Sequence, residues 1–469
     1  MRKNKLTKLS SMMNCKKVLL ICASLLVGEF AHAQYLRTSY FMEGTSSRLQ
    51  LNPGLQPMRG YFNFPVAGSF NVGASSNVLG TEDIIDILDS GSNLFTNDAL
   101  YSRLKTDNRL NVNLNTDILS FGWYKGKNFW TFNVGLRTDI GASIPKNMFD
   151  YLRNADQLST TNLKGEISNM TLDVNAYAEV GLGYSRAIND RLTVGGRVKV
   201  LLGLANAQLD VDQFSVDMNL PENPENPDSW NAGQQYHANV ASHAHVTTTM
   251  KGGGLSFSQD GNKIDGFDFD FDNFGIAGKG FGIDLGASYK LFDNVTLSAA
   301  VLDLGFLKWD ASCTTVATSD QDEQITIDQN NYTEYVDGDF LSLERFNLTK
   351  DEEAVSDRKV KLASTVLLAG EYALFNNKLS VGAMYTARFV QPKTLNELTF
   401  SATFRPKNWF NAAVSYSPIQ ASGKSLGVAL KFGPLFVGTD YMFFGSNSKT
   451  VNGFVGISFP LGKKRSETI

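Results

Sequence analysis

The 469-residue sequence contains few cysteines, histidines and charged residues, and each shortage excludes a class of protein. It has 3 Cys, 4 His and 12 Pro, and charged residues make up only 19% of the chain. Lys and Arg number 43 against 47 Asp and Glu, so the basic excess typical of nucleic-acid-binding proteins is missing. With so few histidines there is no convincing Ser/His/Asp arrangement. We therefore predict neither an enzyme, nor a cofactor, nor a nucleic-acid partner.

The first 33 residues have the pattern of a secretion signal. A basic start is followed by an apolar run from Val18 to Val27 and by a small-x-small site that ends at Ala33. The run is too short to span a membrane as a helix. We predict cleavage between Ala33 and Gln34.

Cleavage at this site changes both the charge and the cysteine content. The segment carries 6 basic and 1 acidic residue, so the mature chain has 37 basic and 46 acidic residues, a balance of −9. Cys15 and Cys22 leave with the signal, and only Cys313 remains. No intramolecular disulfide can form, so an exported chain of this size must be held by its sheet, its core or a membrane.

After residue 33 no stretch approaches 18 consecutive apolar residues, and apolar and polar positions alternate instead. Between 172 and 184, one face is apolar, whereas the other carries Asp173, Asn175, Tyr177 and Glu179. These strands run about 10–18 residues, beyond the five or six usual in globular proteins, and a tilted membrane strand needs about 9–11. An apolar face opposite a charged face is typical of an outer-membrane barrel with a polar lumen.

A hairpin pattern recurs six times, as a strand end rich in aromatic or basic residues, a tight turn and a new alternating strand. The copies are Trp123–Leu136, Tyr184–Val198, Tyr289–Val301, Glu371–Tyr385, Thr403–Tyr416 and Leu430–Tyr441. The aromatic residues at these ends would form one interfacial girdle. The other connections, 73–108, 142–168, 210–279 and 307–359, are long.

The six hairpins supply 12 strands, and strands near Tyr61–Val72 and Val451–Phe459 bring the total to 14. The region 236–258 could add a seventh hairpin and make 16. We predict an all-β fold, a transmembrane antiparallel barrel of about 14 strands with short periplasmic turns and long extracellular loops that contain short helices. The predicted units are the signal 1–33, a plug-like segment 34–60, the barrel 61–460 and a tail 461–469.

The mature start carries a resemblance to a known family. Asn52-Pro53-Gly54 precedes "RGYFNFP" and a Gly-rich strand, and it is similar to the Asn-Pro-Ala element of FadL-like outer-membrane proteins. The order of these elements resembles an uncharacterised family of Bacteroidetes-type outer-membrane barrels. The resemblance implies a 14-stranded barrel with an N-terminal plug that moves hydrophobic compounds, or a related adaptor of secretion or gliding machinery.

Charged residues on the predicted inner face carry both signs, which favours internal ion pairs in a filled or constricted lumen over an open pore. The candidate network comprises Arg137, Asp173, Glu179, Arg197, Lys199, Glu371 and Arg388.

No metal site is predicted, although two weak candidates exist. His243 and His245 would face the same way in a strand. Asp268, Asp270 and Asp272 resemble the start of an EF-hand loop, but Lys279 stands where that loop needs Glu. The alternative for Phe267–Asn273 is an amphipathic strand with its aromatic residues inward and its carboxylates in water.

The sequence thus predicts a protein of the bacterial outer membrane, surrounded by its lipid. The first hypothesis is passive transport or binding of a hydrophobic or amphipathic small molecule, with a kinked strand or lateral opening. The alternative is a structural adaptor or subunit of a secretion or surface-assembly complex, with an exposed aromatic loop patch and a protein partner.

Overall fold

The computed structural model describes most of the mature chain. The described residues are 37–65, 68–80, 83, 98–155, 163–219, 226, 236–258, 263–328, 347–390, 394–420, 424–442 and 449–462. The predicted signal, with Ala33 and Gln34, lies outside these ranges, as does all but the start of the predicted tail 461–469.

The described residues form three α-helices and 21 strands, and the strands belong to one antiparallel sheet. The strands are β1 Gly60–Asn63, β2 Phe70–Ser76, β3 Asp107–Lys125, β4 Asn128–Pro145, β5 Leu163–Ala187, β6 Leu192–Asn219, β7 Tyr236–Met250, β8 Gly253–Phe257, β9 Ile264–Phe269, β10 Gly278–Phe292, β11 Val295–Trp309, β12 Thr314–Ile327, β13 Thr349–Lys350, β14 Arg358–Lys361, β15 Thr365–Leu374, β16 Leu379–Arg388, β17 Leu395–Lys407, β18 Phe410–Ile419, β19 Ser425–Phe432, β20 Leu435–Met442 and β21 Thr450–Leu461. The helices are α1 Ser47–Leu51, α2 Asp98–Tyr101 and α3 Lys146–Ala155. Within this described part of the chain, no helix is long and apolar enough to cross a bilayer.

The sheet closes on itself as a barrel with 14 wall positions. β1 and β2 together form the first wall strand, because both pair with β3 on one edge and with the last strand, β21, on the other. β14 and β15 share another position, since both pair with β11. The prediction of 14 strands is confirmed. The alternative of 16 is wrong because β7 pairs with β6 and β12 beyond the wall instead of forming a further spanning hairpin.

All six predicted hairpins are present, and their turns lie at one end of the barrel. Gly126 and Gly433 adopt positive φ angles of 63° and 59° in two of these turns, a conformation that favours glycine. Aromatic residues gather at the same end, where the rings of Trp130 and Tyr184 lie 4.8 Å apart and those of Trp409 and Phe432 lie 5.0 Å apart. This arrangement is the interfacial girdle that the hairpin pattern predicts.

The outward face of the wall is apolar. Large hydrophobic side chains remain exposed on strand after strand: Leu182, Val198, Val200, Leu285, Leu297, Leu304, Leu368, Val381, Val414, Leu430, Val437 and Val455. A closed barrel with such a belt, short turns at one end and longer segments at the other is the architecture of the bacterial outer membrane. The protein is therefore an outer-membrane barrel.

In two of the connections predicted as long loops, many of the described residues form strands. β6 continues to Asn219, whereas the sequence pattern predicts that the spanning strand ends near residue 210. β7 and β12 extend the wall beside β6 on the extracellular side. The inner side of this extension packs an apolar core that includes Val211, Phe214 and Tyr236. The extension lies outside the bilayer and thus raises a tall wall on one side of the barrel mouth.

The first wall strand is not continuous, contrary to the prediction of one strand over Tyr61–Val72. Asn63 pairs with Ser458 and Phe70 pairs with Val455, so six residues on the first strand face two on β21. On the other edge Asn63 pairs with Ser120 and Phe70 pairs with Thr116. The pairing of the wall is therefore interrupted between Asn63 and Phe70.

Candidate functional site

Residues 37–55 lie buried inside the turn end of the barrel. Arg37 is 1% exposed and forms an ion pair with Glu397. The hydroxyls of Tyr40 and Ser298 lie 2.9 Å apart, and Arg405 Nη1 donates to the carbonyl oxygen of Phe41 at 3.0 Å. Because these partners belong to β11 and β17, the segment crosses the lumen and contacts well-separated parts of the wall.

The Asn52-Pro53-Gly54 element is seated on glycine positions of the wall. Asn52 Nδ2 donates to the carbonyl oxygens of Ala287 at 3.2 Å and Ala299 at 3.3 Å, and Asn52 Oδ1 accepts from the amide of Gly54 at 2.8 Å. A Cβ on Gly195 would lie 2.1 Å from the carbonyl oxygen of Pro53, and one on Gly286 would lie 2.1 Å from Asn52 Oδ1. The element thus fits only where both wall strands lack a side chain.

One group of ion pairs lies on β3, β4 and β5 beside this segment. Arg137 Nη2 lies 2.7 Å from Glu179 Oε1 and 3.2 Å from Asp117 Oδ1. Asn133 Nδ2 also donates to Glu179 at 2.8 Å, and Gln50 of the N-terminal segment donates to Asp117. These contacts connect the wall directly to α1.

A second group centres on Asp284, a fully buried carboxylate of β10. Arg197 Nη2 lies 2.6 Å from Asp284 Oδ2 and Lys199 Nζ lies 2.8 Å from Asp284 Oδ1. Lys199 also forms an ion pair with Asp303, and Arg197 Nη2 donates to the backbone oxygen of Gln50 at 3.3 Å. Each buried cation in this group therefore has a carboxylate partner.

The remaining candidates of the predicted lumen network lie apart from these groups. Arg388 pairs with Asp139 across the lumen. Glu371 accepts from Arg405 Nη2 at 2.8 Å near the turn end. Asp173 accepts from Asn175 Nδ2 at 2.8 Å towards the extracellular end. The structure thus brings Arg137, Glu179, Arg197 and Lys199 together, with Arg388 lining the same cavity, and places Asp173 and Glu371 in separate contacts.

Two cavities follow one side of the buried segment. The first is lined by Tyr177, Leu51 and the charged groups of the lumen and has room for only a few water molecules. The second is smaller, lies nearer the turns and is lined by Leu49, Phe129 and Tyr184 among others. Gln50 and Arg197 line both cavities and separate them.

The sequence pattern singles out Arg197 but misses Gln50 as a member of this site. Asp117 and Asp284 occupy inward positions of alternating strands, where strand periodicity places them. Gln50 lies on the short helix α1, and nothing in its local sequence indicates that its side chain reaches β3.

The metal candidates lie on the extracellular extension. His243 Nδ1 lies 2.7 Å from Asp320 Oδ1, and His245 Nε2 contacts the hydroxyl of Thr247 at 2.7 Å. This hydrogen bond to the Asp320 carboxylate raises the pKa of His243 above its usual range. In the described ranges no group of three or more His, Cys, Asp or Glu side chains has the spacing to hold a metal.

The expected inward aromatic face of Phe267–Asn273 is wrong. β9 ends at Phe269, and Asp270 caps a 3₁₀ turn over Phe271–Asn273 by accepting from the amide of Asp272 at 3.0 Å. Phe267, Phe269 and Phe271 are 42%, 40% and 81% exposed. The turn chemistry of Asp270 ends the alternation before it can bury this face. Asp268 remains on β9, so the three carboxylates do not follow one continuous strand.

A family model matches residues 53–440 of this chain, and the chain belongs to that family, which is described as a family of unknown function (DUF5723). The prediction of an uncharacterised barrel family is confirmed by this match. No curated protein matches the sequence.

Among solved structures, the chain is similar to the toluene transporter TbuX of Ralstonia pickettii, with 12% identity over 93% of this chain and 100% of that one and a TM-score of 0.43. It is also similar to the toluene transporter TodX of Pseudomonas putida, with 13% identity over 93% and 100% of the chains and a TM-score of 0.41. A third is the monoaromatic hydrocarbon channel CymD, with 9% identity over 93% and 96% and a TM-score of 0.31.

Adding one methyl group at Gly54 should loosen the seating of the N-terminal segment. A Cβ there would lie 2.7 Å from the amide nitrogen of Ala287, and overpacking of this kind costs about 1–3 kcal/mol. We expect Gly54→Ala to lower the temperature at which the folded barrel converts to its slower-migrating unfolded form on a detergent gel. Gly453→Ala is the matched control, because no atom lies within 4 Å of its new Cβ. Equal conversion temperatures for the two variants would contradict this seating.

The contact between His243 and Asp320 predicts a pH effect outside the membrane. Since the folded pKa of His243 is raised, the contact stabilises the protein below the ordinary histidine pKa and loses this effect as the pH rises through the folded value. Titration of ¹³C-labelled histidines by NMR should show the raised pKa for His243. Asp320→Asn should return it towards the ordinary value, whereas an unchanged pKa in that variant would exclude Asp320 as the cause.

Proposed function

We propose that this member of the family is a passive outer-membrane channel for a small amphipathic molecule, and that segment 34–60 is a plug that narrows it. The proposal rests on one observation. Two cavities run along the same side of the buried segment, and only Gln50 and Arg197 are shared between them. A molecule that passes between the two cavities would need a local movement at this point, without release of the whole segment.

The anchoring of the N-terminal segment favours a local opening over its expulsion. Thr38 donates its amide to Asp440 Oδ1 at 2.6 Å, and its hydroxyl lies 2.6 Å from that of Ser415. Arg37 is buried against Glu397. Removing a buried ion from its partner leaves an uncompensated charge, which costs about 3–5 kcal/mol. Gln50, by comparison, is an uncharged side chain with rotatable bonds.

The lining of the route fits a molecule with polar and apolar parts. In the larger cavity, Arg137 pairs with Glu179, Arg388 pairs with Asp139, and Lys199 pairs with acidic groups, so the cations have carboxylate partners. Such internal pairing gives little selection for net charge. The smaller cavity adds aromatic and aliphatic surface from Leu49, Phe129 and Tyr184. A neutral amphipathic molecule satisfies both surfaces.

The interruption of the first wall strand supports a sideways connection to the membrane. On β21, Gly456 and Ile457 lie opposite the interruption, and nearby Phe454 belongs to an apolar cluster with Met42 of the N-terminal segment and Phe436. On β3, Asp117 lies at the other edge of the interruption, where its amide donates to the carbonyl oxygen of Ser69 at 2.9 Å. An amphipathic molecule at this position would meet an apolar edge and a polar edge together.

Shortening Gln50 tests this route. We expect Gln50→Ala to join the two cavities and to speed the uptake of N-phenyl-1-naphthylamine, an apolar fluorescent molecule, by cells whose own hydrophobic-compound channels have been deleted. The wild-type barrel should take it up faster than cells with empty vector. Uptake of a charged chromogenic β-lactam should change less, because the paired charges of the lumen remain.

Gln56→Ala is the matched control. Gln56 also belongs to the N-terminal segment and donates to Ser185 Oγ at 3.3 Å, but it lines neither cavity. Its replacement should leave uptake at the wild-type rate. If wild-type barrel, correctly folded by its heat-shifted gel mobility, takes up no more of the fluorescent molecule than vector cells, the channel proposal is wrong. If Gln50→Ala and Gln56→Ala behave alike, the route lies elsewhere.

An exposed aromatic surface favours a second function, that of an adaptor for a surface or secretion protein. Phe269 and Phe271 have ring centroids 4.3 Å apart, and Phe269 and Phe274 have centroids 5.7 Å apart. Phe271 is 81% exposed and Phe274 is 44% exposed. Exposed aromatic patches of this kind are typical of protein interaction sites.

Cross-linking in native membranes tests the adaptor function. If this surface holds a partner, a stoichiometric protein should copurify with the wild type and be lost with Phe271→Ser. Phe292→Ser is the control, since Phe292 is 63% exposed but lies at the opposite, turn end of the barrel. A wild-type barrel that purifies without a stoichiometric protein would eliminate this candidate.

A further inference from the structure

Lysines form a row on the outward face of three adjacent strands. Lys279 of β10 pairs in register with Lys308 of β11, and Lys308 pairs with Lys359 of β14. In the next row towards the membrane, Phe281 pairs with Phe306, and Phe306 pairs with Lys361. All four lysines are exposed. Their neighbours Leu307 and Trp309 are buried on the inner side, which fixes the lysine row to the outside of the wall.

The row lies at the extracellular edge of the apolar belt. Lys279 is the second residue of the 15-residue β10, and Lys308 is the last but one of the 15-residue β11. The other ends of both strands meet at a periplasmic turn. Because a tilted strand crosses the apolar core in about 9–11 residues, both lysines lie where the lipid headgroups begin. Phe281 and Leu304, each 44% exposed, lie just below them on the lipid side.

The positive charge of the row exceeds the negative charge of the acidic groups that the described residues place beside it. Like charges directly opposite one another in a sheet are destabilising, since their Cβ atoms are only about 4.5–5.5 Å apart. Lys308 Nζ lies 2.6 Å from Asp357 Oδ2, and Asp310 is the other carboxylate near Lys308. Asp357 also accepts from the amide of Ala311 at 3.1 Å, so its carboxylate is shared between Lys308 and this backbone amide.

Aromatic rings hold part of this row in place. Lys359 Nζ lies 3.7 Å from the centroid of the Phe306 ring, and the rings of Phe281 and Phe306 are edge-to-face with centroids 5.2 Å apart. A cation over an aromatic face keeps its charge at the surface and leaves its N–H groups available to an anion. The same rings continue the apolar belt sideways to Val200, which pairs with Phe281.

We propose that Lys279, Lys308, Lys359 and Lys361 form a binding site for the phosphate of a phosphorylated glycolipid in the outer leaflet. The phosphate accepts hydrogen bonds from the lysine row, and the acyl chains of the same molecule lie along Phe281, Leu304 and Val200. The position of the row at the upper edge of the belt, with apolar surface directly beneath it, favours a lipid over a free phosphate ion. The site lies on the outside of the wall and does not depend on transport through the lumen.

Titration of the purified full-length barrel in detergent with diphosphoryl lipid A, followed by native mass spectrometry, tests this site. EDTA is present throughout, so that divalent cations cannot bridge the lipid to carboxylates. We expect the double variant Lys279→Gln/Lys359→Gln to bind lipid A at least about tenfold more weakly, because two charge-assisted hydrogen bonds to the phosphate are lost. Lys164→Gln/Lys350→Gln is the control, because these exposed lysines lie on the extracellular side outside the row and already have carboxylate partners.

The ligands separate the sources of binding. Lipid A from which the phosphates have been removed, and phosphatidylethanolamine, should bind no better to the wild type than to the double variant. Equal lipid A affinity in the double variant and the wild type would overturn the proposal. So would equal binding of the dephosphorylated lipid, which would assign the affinity to acyl chains alone. Displacement of lipid A by inorganic phosphate at equal concentration would identify a free-anion site instead of a lipid site. Heat-shifted gel mobility verifies that each variant is folded.

Discussion

Closure of the backbone hydrogen-bond ladder is the constraint on which the rest of the structure depends. In hydrocarbon an unpaired backbone N–H or C=O costs several kcal/mol, so each wall strand must pair on both edges. β21 meets this demand by pairing with β1, β2 and β20. The ladder is interrupted between Asn63 and Phe70. Isolated hydrogen bonds remain there: the amide of Phe64 donates to the carbonyl oxygen of Ile457 at 2.8 Å, and the carbonyl oxygen of Ser69 accepts from the amide of Asp117. The break is thus a formed structural feature beside the lumen.

Closure also decides what the inside must contain. The alternation of apolar and polar residues points the polar side chains of the 14 wall strands inward, into a narrow and poorly solvated space where they need partners. The chain supplies these partners in two ways. Ion pairs such as Arg137 with Glu179 neutralise the wall, and the buried N-terminal segment supplies further partners, as Gln50 does for Asp117. Together they leave the two cavities that separate at Gln50 and Arg197.

The sequence predicts the barrel well because turns and alternation are local patterns, and closure follows from the need to pair every strand edge in the bilayer. The six turns and the inward position of Arg197 and Lys199 follow from residues only a few positions apart. Contacts between distant segments are harder to predict from the sequence. The docking of Asn52 on Gly286 joins residues far apart in the chain, and a glycine in the sequence does not show which group occupies the space of its missing side chain. The exposure of Phe271 also depends on local turn chemistry that strand periodicity conceals.

The two faces of the wall treat positive charge in opposite ways. Inside, Lys199 lies between Asp284 and Asp303, so the protein itself neutralises it. Outside, Lys279 and Lys359 flank Lys308 in a chain whose predicted mature balance is −9, and among the described residues only Lys308 of these three forms a close ion pair, with Asp357. Although the protein is acidic overall, these lysines line up with one another at the height of the lipid headgroups. The screening of their mutual repulsion there depends on the membrane, so the neutralising negative charge is supplied most simply by the outer-leaflet lipid.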